Sequence, residues 1–97
     1  MIKNKQNIFS LAEKFDLPEE IILGMPLLVV GGNRRLYVEN HLGLLEYTDT
    51  SVRIRIKQGQ IILTGTDFFI ESILEKEMRV AGVIKAIEFT CQEVEKV

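Results

Sequence analysis

The sequence predicts a mainly β fold: an antiparallel β meander or small two-layer sheet or sandwich, with one short N-terminal helix. Three observations predict it. Val52-Arg53-Ile54-Arg55-Ile56-Lys57 alternates strictly between β-branched residues and cations, the period-two pattern of a strand with one buried face. Turn-forming clusters punctuate the chain between short apolar segments: Gly31-Gly32-Asn33, Asp49-Thr50-Ser51 and Gln58-Gly59-Gln60. Clear helical spacing appears near the start, where Ile8, Leu11, Ala12 and Phe15 follow i, i+3, i+4, i+7.

In chain order, residues 1–6 read as a flexible lead-in and 7–16 as the helix. Asn7 stands at the N-cap position and Pro18 ends the helical stretch. A helix this short needs a surface to dock on. Ile21 to Leu23 is broken by Gly24 and Pro26, and Leu27 to Val30 follows as a buried strand. Gly31-Gly32-Asn33 tolerates positive φ and returns the chain into Leu36 to Glu39, with Leu36 and Val38 on one face and Tyr37 and Glu39 on the other. Asn40-His41-Leu42-Gly43 forms a loop into a strand over Leu44 to Thr48. Gln58-Gly59-Gln60 closes a hairpin between the alternating segment and Ile61 to Thr64.

A weak echo links Leu63-Thr64-Gly65 to Val80-Ala81-Gly82, and Ile70-Glu71 to Ile87-Glu88. It predicts successive strand pairs, each with a glycine where the chain kinks or bulges. Asp67 to Glu77 fits a helix face through Phe69, Ile70, Ile73 and Leu74, but its Phe and Ile content favours strand. Val83 to Phe89 is apolar on both faces, with Val83, Ile87 and Phe89 on one and Ile84 and Ala86 on the other. Such a strand is sandwiched between layers or covered by another subunit. Seven or eight strands result, in one domain over 7–90, with 91–97 as a polar tail.

The chain has 97 residues, 46% hydrophobic and 27% charged, which is one globular domain with a modest core. Its formal net charge of −2 predicts no broad attraction to nucleic acid or anionic membrane. Cys91 is the single cysteine, so no internal disulfide forms. The longest apolar run, Met25 to Val30, falls far short of the roughly 20 residues of a membrane span, and no signal-peptide core is visible. A cytoplasmic protein without a membrane span is the expectation.

Candidate chemistry is sparse. His41 is the only histidine, which excludes a multi-histidine metal site. It could be drawn against Glu39 or Glu46, but no nucleophile motif accompanies it. Gly31-Gly32-Asn33 with Arg34-Arg35 lacks the Lys-Ser/Thr ending of a phosphate loop and precedes a strand. The row Arg53, Arg55, Lys57 lacks the interleaved aromatics of a nucleic-acid-binding sheet. A solvated outer face is the plain account of it. No catalytic residue, cofactor or metal site is expected.

Asp16-Leu17-Pro18, Pro26, Gly32-Asn33, Leu36, Glu39-Asn40-His41, Gly43 and Glu46-Tyr47-Thr48 together resemble the YabP/YqfC family of sporulation proteins, closest to its YqfC branch. Val52-Arg53-Ile54, Leu63-Thr64-Gly65 and Ile87-Glu88-Phe89 continue the likeness, over roughly residues 14 to 89. The chain departs from the family at Gly24, Met25 and Leu27 around Pro26, and at Leu42 after the histidine, where charged residues are common. The resemblance implies a non-enzymatic protein of the mother cell of an endospore former, associated with spore envelope (cortex or coat) formation. It also implies a protein partner, a membrane protein of the sporulation programme, and hence a place at the forespore membrane.

The expected function is therefore an assembly or adaptor factor that works by binding and self-associates into a homo-oligomer. Asn33, Glu39, Asn40, His41, Glu46 and Tyr47 are its candidate partner-contact or structural motif. The alternative is a regulatory domain that binds a ligand or polyanion through Arg53, Arg55 and Lys57.

Overall fold

A computed structural model describes residues 24–91. The expected helix over 7–16 and the tail beyond Cys91 lie outside the described residues. Six strands follow in order: β1 (Leu27–Gly31), β2 (Arg35–Glu39), β3 (Gly43–Tyr47), β4 (Ser51–Ile56), β5 (Gly59–Ile73) and β6 (Glu77–Cys91). They form one antiparallel sheet in the order β1-β2-β6-β5-β4-β3. The expected seven or eight strands become six among the described residues because β5 and β6 each run for 15 residues. The ambiguous stretch after Asp67 is strand through Ile73, with a turn where Leu74 N–H donates to the Glu77 carbonyl (2.7 Å).

The two long strands explain the echo. The first half of β5 pairs with β4 and with the end of β6, whereas its second half pairs with the start of β6, which also carries β2. The register slips at Thr64/Gly65, Thr66/Phe69 and Ile70/Ser72, and such bulges bend a sheet. The bend lies where Asp67 (φ 57) and Gly82 (φ 146) leave the extended region. Phe68 fills the inside of it. A Cβ on Gly82 would come within 2.8 Å of Phe68 Cδ1 and 2.9 Å of the Asp67 carbonyl oxygen. A Cβ on Gly65 would collide with the Val83 carbonyl and approach Phe68 to 2.9 Å. Both echo glycines therefore make room for one ring.

The bend lets the two halves of the sheet share one core. Leu36, Val38, Met78 and Val80 come from the β2/β6 half. Val52, Ile54, Ile56, Ile61 and Leu63 come from the β4/β5 half, and Phe68 and Ile84 join them. The alternating segment behaves as its pattern predicts: Val52, Ile54 and Ile56 are buried and Arg53, Arg55 and Lys57 exposed.

Two expectations change. Leu27 to Val30 is an edge strand, not a buried one, and Val29 and Val30 stand in solvent. An apolar run marks a strand but not its place in the sheet order. In β6, the bulge between Ile84 and Ala86 shifts the pleat by one. Ile84 thus joins Ile87 at the core, while Ala86 and Phe89 are exposed. No helix among the described residues is long and apolar enough to cross a membrane.

Candidate functional site

β2 and β3 are not neighbours, so residues 40–42 must carry the chain from one half of the sheet to the other. Asn40 turns the chain with φ 68, a left-handed conformation that asparagine tolerates better than most residues. Its backbone N–H donates to the Lys76 carbonyl (2.7 Å), and its side-chain Nδ2 donates to the Met25 carbonyl (2.8 Å). Leu42 N–H then donates to the Arg55 carbonyl (2.8 Å), which docks the crossing on β4.

His41 lies between these contacts and is 5% exposed, the one buried polar side chain among the described residues. Gly43 N–H donates to Nδ1 (3.0 Å), so Nδ1 carries a lone pair. The ring is therefore the neutral Nε2–H tautomer. Nε2–H is shared between the carbonyls of Leu74 (3.0 Å) and Glu77 (3.2 Å) in the β5–β6 turn. Both ring nitrogens are spent on backbone groups. The imidazole acts as a staple between the crossing, the β5–β6 turn and the start of β3.

The other motif residues divide. Tyr47 sends its hydroxyl to the Phe68 carbonyl (3.3 Å), bracing the bend rather than the His41 corner. A bulge between Leu44 and Glu46 turns Glu46 to the cationic face, where it pairs with Arg53 Nε at 2.9 Å. Asn33 sits in the β1–β2 turn, and its carbonyl accepts Ile84 N–H (2.8 Å). Glu39 lies in the register row of Glu77 on the outer face. Beside them, Tyr37 is pushed up to about 12 by its burial first, then by Glu39 and Glu77 and a hydrogen bond to Glu77; Arg79, stacked 4.8 Å over the ring, opposes this. The motif is thus a set of three fastenings, not one convergent cluster. Asn40 and His41 share a corner, Tyr47 serves the bend, and Glu46 belongs to the cation row.

In the cation row itself, Arg53 is engaged by Glu46 and lies 3.4 Å from Gln60 Oε1. Arg55 and Lys57 take part in neither of the two ion pairs present among the described residues. Among those residues no group of three or more His, Cys, Asp or Glu side chains could hold a metal ion. Sequence reasoning missed Leu42 and Leu74. The crossing and the β5–β6 turn bring them to one end of the sheet, 60% and 58% exposed. Their only signal in the chain is a leucine in each of two turns, where polar residues are usual.

Known proteins agree with the resemblance. The chain is 32% identical over 87 residues to the uncharacterized protein YqfC of Bacillus subtilis (strain 168), a match spanning 90% of this chain and 92% of that protein. No solved structure matches it. The YabP family model matches residues 25–96, which takes in all six strands and the stapled crossing, and the chain belongs to the YabP family.

Proposed function

We propose that this protein is a non-enzymatic assembly or adaptor factor for spore envelope formation, held at the forespore membrane in the mother cell by a membrane-protein partner. One observation carries the reading. The motif that marks the family spends its polar atoms on internal backbone groups: His41 on Leu74, Glu77 and Gly43, Asn40 on Met25, and Tyr47 on Phe68. An active site would direct those atoms at a substrate. What the motif builds instead is a rigid scaffold with exposed surface, which suits binding.

Self-association belongs to the same reading. β2 covers only Glu77–Ala81 of β6, so no strand among the described residues pairs with the other side of 85–91. Phe89, 53% exposed, lies on that stretch. A second copy adding there would pair the edge and cover the ring. Light scattering at micromolar concentration should give a mass above that of the monomer, and a clean monomer excludes this.

The adaptor role is tested by fractionating sporulating cells with and without the membrane protein of the same programme. Partner-dependent recovery with the forespore membrane is expected. Recovery that ignores the partner overturns the reading. The polyanion alternative is weakened by the Glu46–Arg53 pair, which leaves two cations rather than three on that row.

A further inference from the structure

We propose that the exposed corner carrying Leu42 and Leu74 is the docking surface for the chain's own residues 7–16, through the apolar stripe of Ile8, Leu11, Ala12 and Phe15. The corner is built by bonds to backbone groups. His41 Nε2 bonds the carbonyl of Leu74, and the residue after His41 is Leu42. Asn40 Nδ2 donates to the carbonyl of Met25 at 2.8 Å, which brings the approach to β1 to the same place. Ile73 (47% exposed) adjoins Leu74, and Met25 is 37% exposed. These apolar side chains stand on backbone that is hydrogen-bonded in place. They gain further burial only from something laid over them.

The point where the chain enters selects the occupant. Met25 is part of the corner, and Gly24 before it lies against the side chain of Lys57, just past the end of β4. The residues before Gly24 therefore lead off from the corner itself. Between Asp16 and Gly24 run residues 17–23, whose extended reach is about 25 Å at roughly 3.5 Å per residue. That is slack enough for 7–16 to return to the place the chain has just left. A segment tethered this closely meets its surface at an effective concentration on the order of millimolar. The same segment on another copy, at micromolar protein, is roughly a thousandfold more dilute. The needs are also reciprocal. A stretch as short as 7–16 cannot hold a helix alone, and its spacing gathers four apolar residues on one side, with Ser10, Glu13 and Lys14 off that stripe. The inference needs neither a membrane partner nor a second copy, so it stands or falls apart from the adaptor reading.

The test uses the full chain. Because it contains no tryptophan, Phe15→Trp supplies a single reporter on the stripe. Its emission should lie to the blue of the urea-unfolded chain and stay there on dilution. Leu42→Asp with Leu74→Asp should move it to the red. The same pair should raise trypsin cleavage after Lys14 by at least about tenfold, since cleavage follows the released fraction. Adding Leu11→Asp to the pair should raise cleavage little further, because both changes remove one contact. Circular dichroism checks that the sheet survives these substitutions. A second measurement leaves the corner unaltered. With Cys91→Ser and a nitroxide on Ser10→Cys, the amide signals of Leu42 and Leu74 should broaden. They should stay sharp when the nitroxide chain is mixed with nitrogen-15 chain that carries no label, which reads contacts between copies alone. Red emission from Phe15→Trp, blue emission indifferent to Leu42→Asp and Leu74→Asp, or unbroadened signals overturn the proposal. So does broadening in the mixed sample, which would assign the corner to another molecule's segment.

Discussion

The sheet is shaped at two places, and they work by opposite means. At the bend, backbone does the shaping: bulges in β5 and β6, a positive φ at Asp67 and Gly82, and two glycines that leave space for Phe68. At the crossing, a side chain does it. His41 reaches from one turn to carbonyls 33 and 36 residues away and ties the two halves together. The bend depends on what is missing, a Cβ. The crossing depends on what is present, an imidazole with one donor and one acceptor. The difference teaches that the first tolerates no larger residue, whereas the second should accept a replacement that offers the same two hydrogen-bonding roles.

The largest effect is expected at the bend. Gly82→Ala adds a methyl where Phe68 and the Asp67 carbonyl already stand, at a φ that alanine disfavours. Strain and overpacking together should remove about 2–5 kcal/mol, measured by urea unfolding. A loss under about 1 kcal/mol would show that the bend can relax and would break the comparison.

Next comes His41→Ala. It strands the Gly43 N–H and removes the shared donor from two carbonyls at a buried position, for a loss of about 2–4 kcal/mol. His41→Gln retains an acceptor and a donor and should recover part of that loss; no difference between the two variants would reduce the imidazole to a space filler. An imidazole nitrogen-15 spectrum sharpens the same point, since it should identify Nδ1 as the unprotonated nitrogen.

Asn40→Ala should cost less, about 1–2 kcal/mol, through the left-handed backbone and the lost bond to the Met25 carbonyl. Asn40→Gly should do less harm than alanine, because it relieves the backbone and forfeits only the hydrogen bond. The reverse order would place the burden on the side chain alone.

The smallest effect lies on the outer face beside the crossing, at Tyr37, whose phenol is hydrogen-bonded to Glu77. Tyr37 keeps its proton to about pH 12, against an ordinary value of 10.0. A raised acid favours the folded state while it is protonated. Its contribution is therefore complete below pH 10 and fades as pH rises toward 12. Absorbance at the phenolate band should show one late-titrating tyrosine, which Tyr37→Phe removes. That variant should also lose less stability than the native chain over this alkaline range.

Particular residues show how far the sequence could be read. The alternation from Val52 to Lys57, the Gly31–Asn33 turn and the hairpin at Gly59 were legible because each rests on neighbours within a few residues. The Gly65 and Gly82 echo was legible as a kink, but not as two walls around Phe68, because their pairing across β5 and β6 is a long-range fact. His41 stood out by its rarity. Its bonding did not, since Leu74 and Glu77 contribute backbone carbonyls, which leave no mark in residue type.

The chain by itself determined that this is an antiparallel β protein, which faces of β2 and β4 are buried, where β5 and β6 kink, and which family it belongs to. Periodicity, turn chemistry and a rare motif are local properties, and local properties survive in a linear string. Only the tertiary structure decided that β1 is an edge, that one sheet folds over its own core, that the family motif is internal fastening, and that Leu42 and Leu74 share one exposed end. Each of these depends on which distant backbone groups meet, and that is set by the sheet order rather than by any segment's own preference.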